Sequence, residues 1–105
     1  MKRRKKPPYV IEYSPPSREH LAALRAGQRA TVLDEVDAQL LHQPTVVTRN
    51  RKPLQPNPLA RFALRVAELR VYYEVDEEQC VVEIRAVGIK DRDRVLIGGE
   101  EIDLS

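Results

Sequence analysis

Arginine and tyrosine side chains recur at alternate positions between residues 60 and 88, and they are the groups of this chain best suited to phosphate chemistry. A guanidinium binds phosphate through paired donors and stabilises negative charge that develops on a phosphoryl group. A tyrosine can stack on a base, although its ordinary pKa of about 10 makes it a poor proton acceptor. The residues concerned are Arg61, Arg65, Arg70, Tyr72 and Arg85.

Three consecutive strands would position these side chains. Residues 60–88 alternate apolar and polar types, which is the period of a β-strand. We predict an antiparallel meander with one apolar face and one face that holds the arginines. The predicted apolar positions are Phe62, Leu64 and Val66, then Leu69, Val71, Tyr73 and Val75, then Val82, Ile84 and Ala86. A solvated face, on which Arg and Glu pair across strands, is the alternative interpretation.

The residues before the meander predict one strand and two helices. Residues 9–13 alternate as a short strand. A helix would start at Ser14 or Ser17 and end at Gly27, because Ser caps free amides and Gly adopts positive φ. Residues 28–42 carry the apolar stripe of a second helix. The predicted class is α+β, with the helical hairpin packed on the apolar face of the meander.

Two connections are harder to interpret. Residues 45–59 contain three prolines and predict a long loop whose Arg49, Arg51 and Lys52 either extend the basic surface or are simply solvated. Ala67 and Glu68 lie where the first hairpin must turn. Since neither favours positive φ, we expect a loop wider than two residues.

Composition indicates one domain in a reducing compartment. The chain has 105 residues, a formal charge of +2 and a single cysteine, so an intramolecular disulfide is impossible. Five of the basic residues lie at positions 2–6, and the rest of the chain holds 13 basic against 16 acidic residues. We expect a basic tail at residues 1–8, either a phosphate-binding arm or a solubilising tail, and a domain at residues 9–105. No apolar run suggests a membrane span or signal peptide, so a cytoplasmic location is expected.

Several chemistries are excluded by residue type. The chain has no Gly-rich phosphate loop, no GxSxG elbow and no HExxH motif. Metal ligands do not occur at a useful spacing, and we expect no metal or cofactor. His20 and His42 lie on separate predicted helices, and a surface role is expected for both.

Four short motifs, in this order, resemble the RelE/ParE superfamily of type II toxins. They are Lys52-Pro53-Leu54, the run from Ala60 to Val66, the run from Leu69 to Val75, and Val87-Gly88 followed by charged residues. With the preceding strand and helices, the resemblance covers nearly the whole chain. It implies an N-terminal strand, two helices and an antiparallel sheet.

The resemblance also implies function. RelE-type members cleave messenger RNA on the ribosome, whereas ParE-type members poison DNA gyrase, and both are neutralised by a cognate antitoxin. The family's catalytic basic positions fall on Arg61, Arg65, Arg70 and Lys90, and we expect RNA contacts from Arg85, Tyr72, Arg92, Arg51 and Lys52. Leu96 occupies the position of a C-terminal tyrosine that acts in proton transfer, and Ala63 occupies another basic position.

Three hypotheses follow. The first is a RelE-like toxin that binds the ribosome and messenger RNA and cleaves the RNA, with Arg70 as the main transition-state stabiliser. The second is a gyrase inhibitor without catalytic activity, which the missing tyrosine favours. The third is a degenerate member that only forms a complex with its antitoxin.

Overall fold

The computed structural model describes residues 8–102. Within them lie the helices α1 (Pro15–Ala22) and α2 (Ala26–Leu40). The strands are β1 (Val10–Tyr13), β2 (Arg51–Pro53), β3 (Phe62–Val66), β4 (Leu69–Asp76), β5 (Val81–Asp91), β6 (Arg94–Ile97) and β7 (Glu100–Ile102). The predicted α+β class is confirmed. The basic run at residues 2–6 lies outside the described residues.

Helix α1 begins as its sequence predicts. Ser14 is the N-cap, and its hydroxyl accepts a hydrogen bond from the Ser17 backbone N–H at 3.2 Å. Two prolines occupy the first helical positions, where a backbone N–H would have no helical partner. The capping residue therefore places the start of the helix directly after β1.

The end of α1 differs from the prediction. Gly27 lies inside α2, which begins at Ala26 with Arg25 as its N-cap, and Gly27 does not have positive φ. The Arg29 side chain instead donates hydrogen bonds to the carbonyls of Leu21, Ala22 and Leu24. A cation that satisfies the last carbonyls thus takes the role predicted for glycine.

All seven strands form one sheet in the order β2-β3-β4-β5-β6-β7, with antiparallel neighbours. Strand β1 lies off this path and pairs in parallel with the first half of β5. The predicted meander is confirmed as β3, β4 and β5. Between β1 and β6 the free edge of β5 contacts α1: the Ser14 hydroxyl donates to the Arg85 carbonyl, and His20 Nδ1 accepts the Val87 N–H, each at 3.2 Å.

The helices cover one face of the sheet, which we call the helix face. Val32, Val36 and Leu40 of α2 are fully buried there with Leu64 and Val71 of the sheet. We call the opposite side the open face. It carries a smaller buried group of Ala60, Tyr72 and Ala86.

A β-bulge in β5 alters the predicted faces. Tyr72 pairs with Ala86 and Tyr73 pairs with Ile84, so Arg85 is the extra residue. As a result, Ala86 packs on the open face and Val87 joins the helix-face core. The predicted inward orientation of Ala86 is wrong, because one inserted residue exchanges the faces of everything after it.

Part of the predicted loop at residues 45–59 is strand β2, which pairs with β3. Arg51 at its start is only 9% exposed. Its guanidinium Nη1 donates to the carbonyl of Gln39 in the last turn of α2 and to that of Gln43 just after the helix, at 2.6 Å each. Arg51 thus fixes β2 to α2 and contributes to the fold, so we withdraw it from the predicted RNA contacts.

The turn between β3 and β4 is tighter than predicted. Val66 and Leu69 are paired, which leaves only Ala67 and Glu68 in the turn, and Ala67 has a φ of 53°. A residue with a side chain pays about 1–2 kcal/mol in this conformation. The wider loop expected from the residue types is wrong, because strand pairing imposes the strained backbone.

Candidate nucleic-acid interface

A cavity of about 630 Å³ lies on the open face, between β2 on one side and the β6–β7 hairpin on the other. Its size is in the range of about 300–1,000 Å³ that is typical of small-molecule sites. Six cations and two carboxylates line it, which leaves a net formal charge of +4. The cations are Arg49, Lys52, Arg65, Arg70, Lys90 and Arg94, and the carboxylates are Asp93 and Glu101.

Strand register brings three of these cations together. Arg65 of β3 lies directly opposite Arg70 of β4, and Arg70 lies opposite Gly88 of β5. Lys90 follows Gly88 by two residues and therefore projects to the same side of the sheet. We call Arg65, Arg70 and Lys90 the cationic cluster. They are three of the four predicted catalytic residues.

The cationic cluster is not neutralised by the rest of the described chain. None of its three side chains forms an ion pair with any residue in the range 8–102. Like charges directly opposite each other destabilise a sheet. Arg65 and Arg70 are such a pair, and a bound anion would remove their repulsion.

Backbone carbonyls hold Arg70 in place. Its Nη1 donates to the carbonyls of Ala67 and Leu69, both at 2.8 Å, so the strained turn orients the guanidinium. Burial, and next the adjacent Arg65, lower the pKa of Arg70. The group nevertheless stays protonated, as arginine does in proteins.

Tyr72 belongs to the floor of the cavity. Lys52 pairs with Ala63, and Ala63 pairs with Tyr72, so the three form one row across β2, β3 and β4. Tyr72 is only 3% exposed. Burial raises its pKa, while Arg70 acts in the opposite direction. Its hydroxyl is therefore a neutral phenol at pH 7 and a poor general base.

Two predicted site arginines lie elsewhere on the open face. Arg61 pairs with Glu74 and also donates to the Val75 carbonyl at 2.6 Å. Arg85 pairs with Glu83 at 2.5 Å. Neither lines the cavity. The expectation that both arginines join the cationic cluster is corrected, because Glu74 of β4 already neutralises Arg61 and Glu83 of β5 already neutralises Arg85.

Arg92 lies in the two-residue turn between β5 and β6, with a φ of 58°. It lines a neighbouring depression with Asp91 and Glu101 rather than the cavity itself. Its predicted RNA contact would therefore be peripheral.

Arg49 lines the cavity, which fits the alternative that the loop extends the basic surface, whereas Asp93 and Arg94 line it without having been predicted as site residues. Arg94 forms ion pairs with Asp91 and Glu101. The charged run after Gly88 was visible in the sequence, but the side of the hairpin on which each residue lies depends on the register of β6.

Leu96, at the position of the family's tyrosine, does not line the cavity. Its neighbour Val95 does, and Val95 also packs against the buried group of the open face. Strand alternation consequently directs Leu96 to the other side of β6.

Two solved structures illustrate the folds to which this chain is similar. The first is the toxin–antitoxin complex RelBE2 from Mycobacterium tuberculosis, with a TM-score of 0.66, 27% sequence identity, and coverage of 79% of this chain and 99% of the matched chain. The second is the archaeal RelE–RelB complex from Pyrococcus horikoshii OT3, with a TM-score of 0.65, 19% identity, and coverage of 80% and 97%.

This chain is RelE-like. The RelE-like resemblance predicted from the sequence motifs is thus confirmed. No protein-family model matches this RelE-like chain, and no curated protein does. Among the described residues, no helix is long and apolar enough to span a membrane.

Proposed function

We propose that this chain is the toxin of a type II toxin–antitoxin system and that it inhibits translation in the cytoplasm by cleaving messenger RNA on the ribosome. The observation that carries the proposal is the cationic cluster, whose charges are unpaired among the described residues of a RelE-like fold. The functional domain would comprise residues 9–105, with residues 1–8 as a basic tail.

Cleavage would proceed through a 2′,3′-cyclic phosphate. The 2′-oxygen forms a bond to phosphorus, the bond from phosphorus to the 5′-oxygen breaks, one proton leaves the 2′-hydroxyl and one joins the 5′-oxygen. Arg65 and Arg70 would stabilise the negative charge that develops on the phosphate oxygens. Asp93 is a lining carboxylate that could accept the first proton, and Lys90 could supply the second.

The proposed partner is a cognate antitoxin. An acidic segment of such a protein would match the net formal charge of +4 in the cavity and would keep RNA away from the cationic cluster. The two structural neighbours are themselves toxin–antitoxin complexes, which supports a protein partner of this kind.

The test is to express the protein without an antitoxin and to map the ends of cellular transcripts. We expect growth arrest with new ends inside translated messages, and loss of both effects in Arg70→Ala. Arg61→Ala is the matched control, because it removes an arginine from the same sheet face whose charge is already paired with Glu74. Intact transcripts during growth arrest, or full toxicity of folded Arg70→Ala, would refute nuclease action at this site.

Inhibition of DNA gyrase is the second candidate. It is favoured by the raised pKa of Tyr72 and by Leu96 lying outside the cavity lining, since both observations leave the described site without a tyrosine base. A supercoiling assay with purified protein separates the two functions. Inhibition of supercoiling with transcripts left intact would favour the gyrase target.

A further inference from the structure

The cavity carries more positive charge than one phosphodiester can neutralise. A single internal nucleotide of RNA contributes one negative charge, whereas the cavity has a net formal charge of +4. The cationic cluster alone places three cations on neighbouring strand positions. A ligand with several phosphates close together would neutralise them more completely.

The floor of the same cavity is partly apolar. Pro53, Leu54, Ala63, Tyr72 and Val95 line it between the two basic sides. Ala63 leaves space above the sheet, Tyr72 belongs to the buried group of the open face, and Val95 packs against that group. An apolar floor with a charged rim suits a ligand that has both a planar ring and a multiply charged group.

The remainder of the open face would not compete for this ligand. Arg61 and Arg85 are paired with Glu74 and Glu83. Glu12 of β1 lies beside Glu83, so that end of the face presents three carboxylates to two arginines. An anion is therefore attracted to the cavity rather than along the whole face.

We propose that the cavity binds a nucleoside polyphosphate, either free or as the 5′-triphosphate end of an RNA. The base would lie on the apolar floor, and the phosphates would contact Arg65, Arg70 and Lys90. This inference deepens the proposed function because it concerns the same cavity. If the free nucleotide binds, its concentration would regulate access of RNA to the site.

Isothermal titration calorimetry with the full chain tests the proposal. The ligands are ATP, adenosine and inorganic tripolyphosphate. We expect ATP to bind at least about 10-fold more tightly than either fragment, because each fragment lacks one half of the recognition and about 1.4 kcal/mol corresponds to a factor of ten. A second pair of ligands, one RNA oligonucleotide with a 5′-triphosphate or a 5′-hydroxyl, distinguishes an RNA end from a free nucleotide.

Variants locate the binding. Arg65→Gln should weaken ATP binding by at least about 10-fold, since it removes charge-assisted hydrogen bonds to the phosphates. Arg65 is exposed, and removing it relieves a like-charge pair, so the variant should fold at least as stably as the parent. Arg61→Gln is the control, with an expected change of less than about twofold because its charge is already paired.

The outcomes for this inference and for the proposed function can be told apart. Equal affinity for ATP and tripolyphosphate would overturn the nucleoside part. Absence of ATP binding, together with equal binding of the 5′-triphosphate and 5′-hydroxyl oligonucleotides, would overturn the whole inference. Binding of RNA regardless of its 5′ end, with no ATP binding, would leave the proposed function standing. Equal weakening by Arg65→Gln and Arg61→Gln would show that the phosphates do not bind at the cationic cluster.

Discussion

Replacing Arg51 tests whether this residue fixes β2 to α2, a role in the fold rather than the nucleic-acid contact that its residue type suggested. Its guanidinium donates to the carbonyls of Gln39 in α2 and of Gln43 just after it, at 2.6 Å each, and its Nε lies 3.4 Å from the Thr48 hydroxyl. Arg51→Met keeps the apolar stem and removes these hydrogen bonds. The two short bonds are each worth about 1.5–3 kcal/mol. Because Gln43 is exposed, water can replace part of this hydrogen bonding. We therefore expect Arg51→Met to lower the free energy of unfolding by about 3 kcal/mol.

Urea denaturation followed by circular dichroism measures this loss as a change in the midpoint at constant slope. Arg49→Met is the matched control, since Arg49 lies two residues earlier but is exposed and lines the cavity. Arg49→Met should change stability by less than about 0.5 kcal/mol. A loss of under about 1 kcal/mol for Arg51→Met, or equal losses for both variants, would refute the anchoring role of Arg51.

Three other variants test the β3–β4 turn, the packing of β6 on β5, and the contact between α1 and β5. Ala67→Gly should stabilise the fold by up to about 1 kcal/mol in the same assay, because glycine accepts the positive φ of the turn. The greater entropy of glycine in the unfolded state offsets only part of this gain. A destabilised variant would show that the turn is not strained. Gly88→Ala should destabilise by about 1–3 kcal/mol, because its Cβ would lie 2.7 Å from Val95 Cγ1, and a neutral result would show that the β6–β7 hairpin moves freely. Burial lowers the pKa of His20, whose neutral ring accepts the Val87 N–H. As the pH falls, His20 is therefore protonated in the unfolded chain before it is protonated in the folded one. The free energy of unfolding should fall as the pH drops below about 6.5. His20→Asn should remove that part of the pH dependence, and the control His42→Asn should leave it intact. Identical stability profiles for the two variants would contradict the role given to His20.

Strand register explains most of the features of the sheet that could not be predicted from the sequence. Alternation in residues 60–75 placed the helix face and the open face of β3 and β4 correctly, because a period of two needs only local geometry. It failed after Arg85, where a bulge adds one residue. Proline content concealed β2, since three residues paired at a sheet edge leave almost no pattern. The tight turn at Ala67 was missed because the pairing of Val66 with Leu69 overrides the preference of alanine.

The sequence by itself determined the α+β class, the RelE-like recognition and the arginines that could bind phosphate, since these depend on residue type and on short-range periodicity. Only the tertiary structure decided which arginines are available. Arg61 pairs with Glu74 of β4, and Arg51 donates to carbonyls at and just after the end of α2. Arg85 pairs with Glu83, two residues earlier in β5. Arg65 and Arg70 face each other without such a partner among the described residues. The physical reason is that the free energy of a charge depends on its neighbours in space, and the pairing of strands and the packing of helices set most of those neighbours.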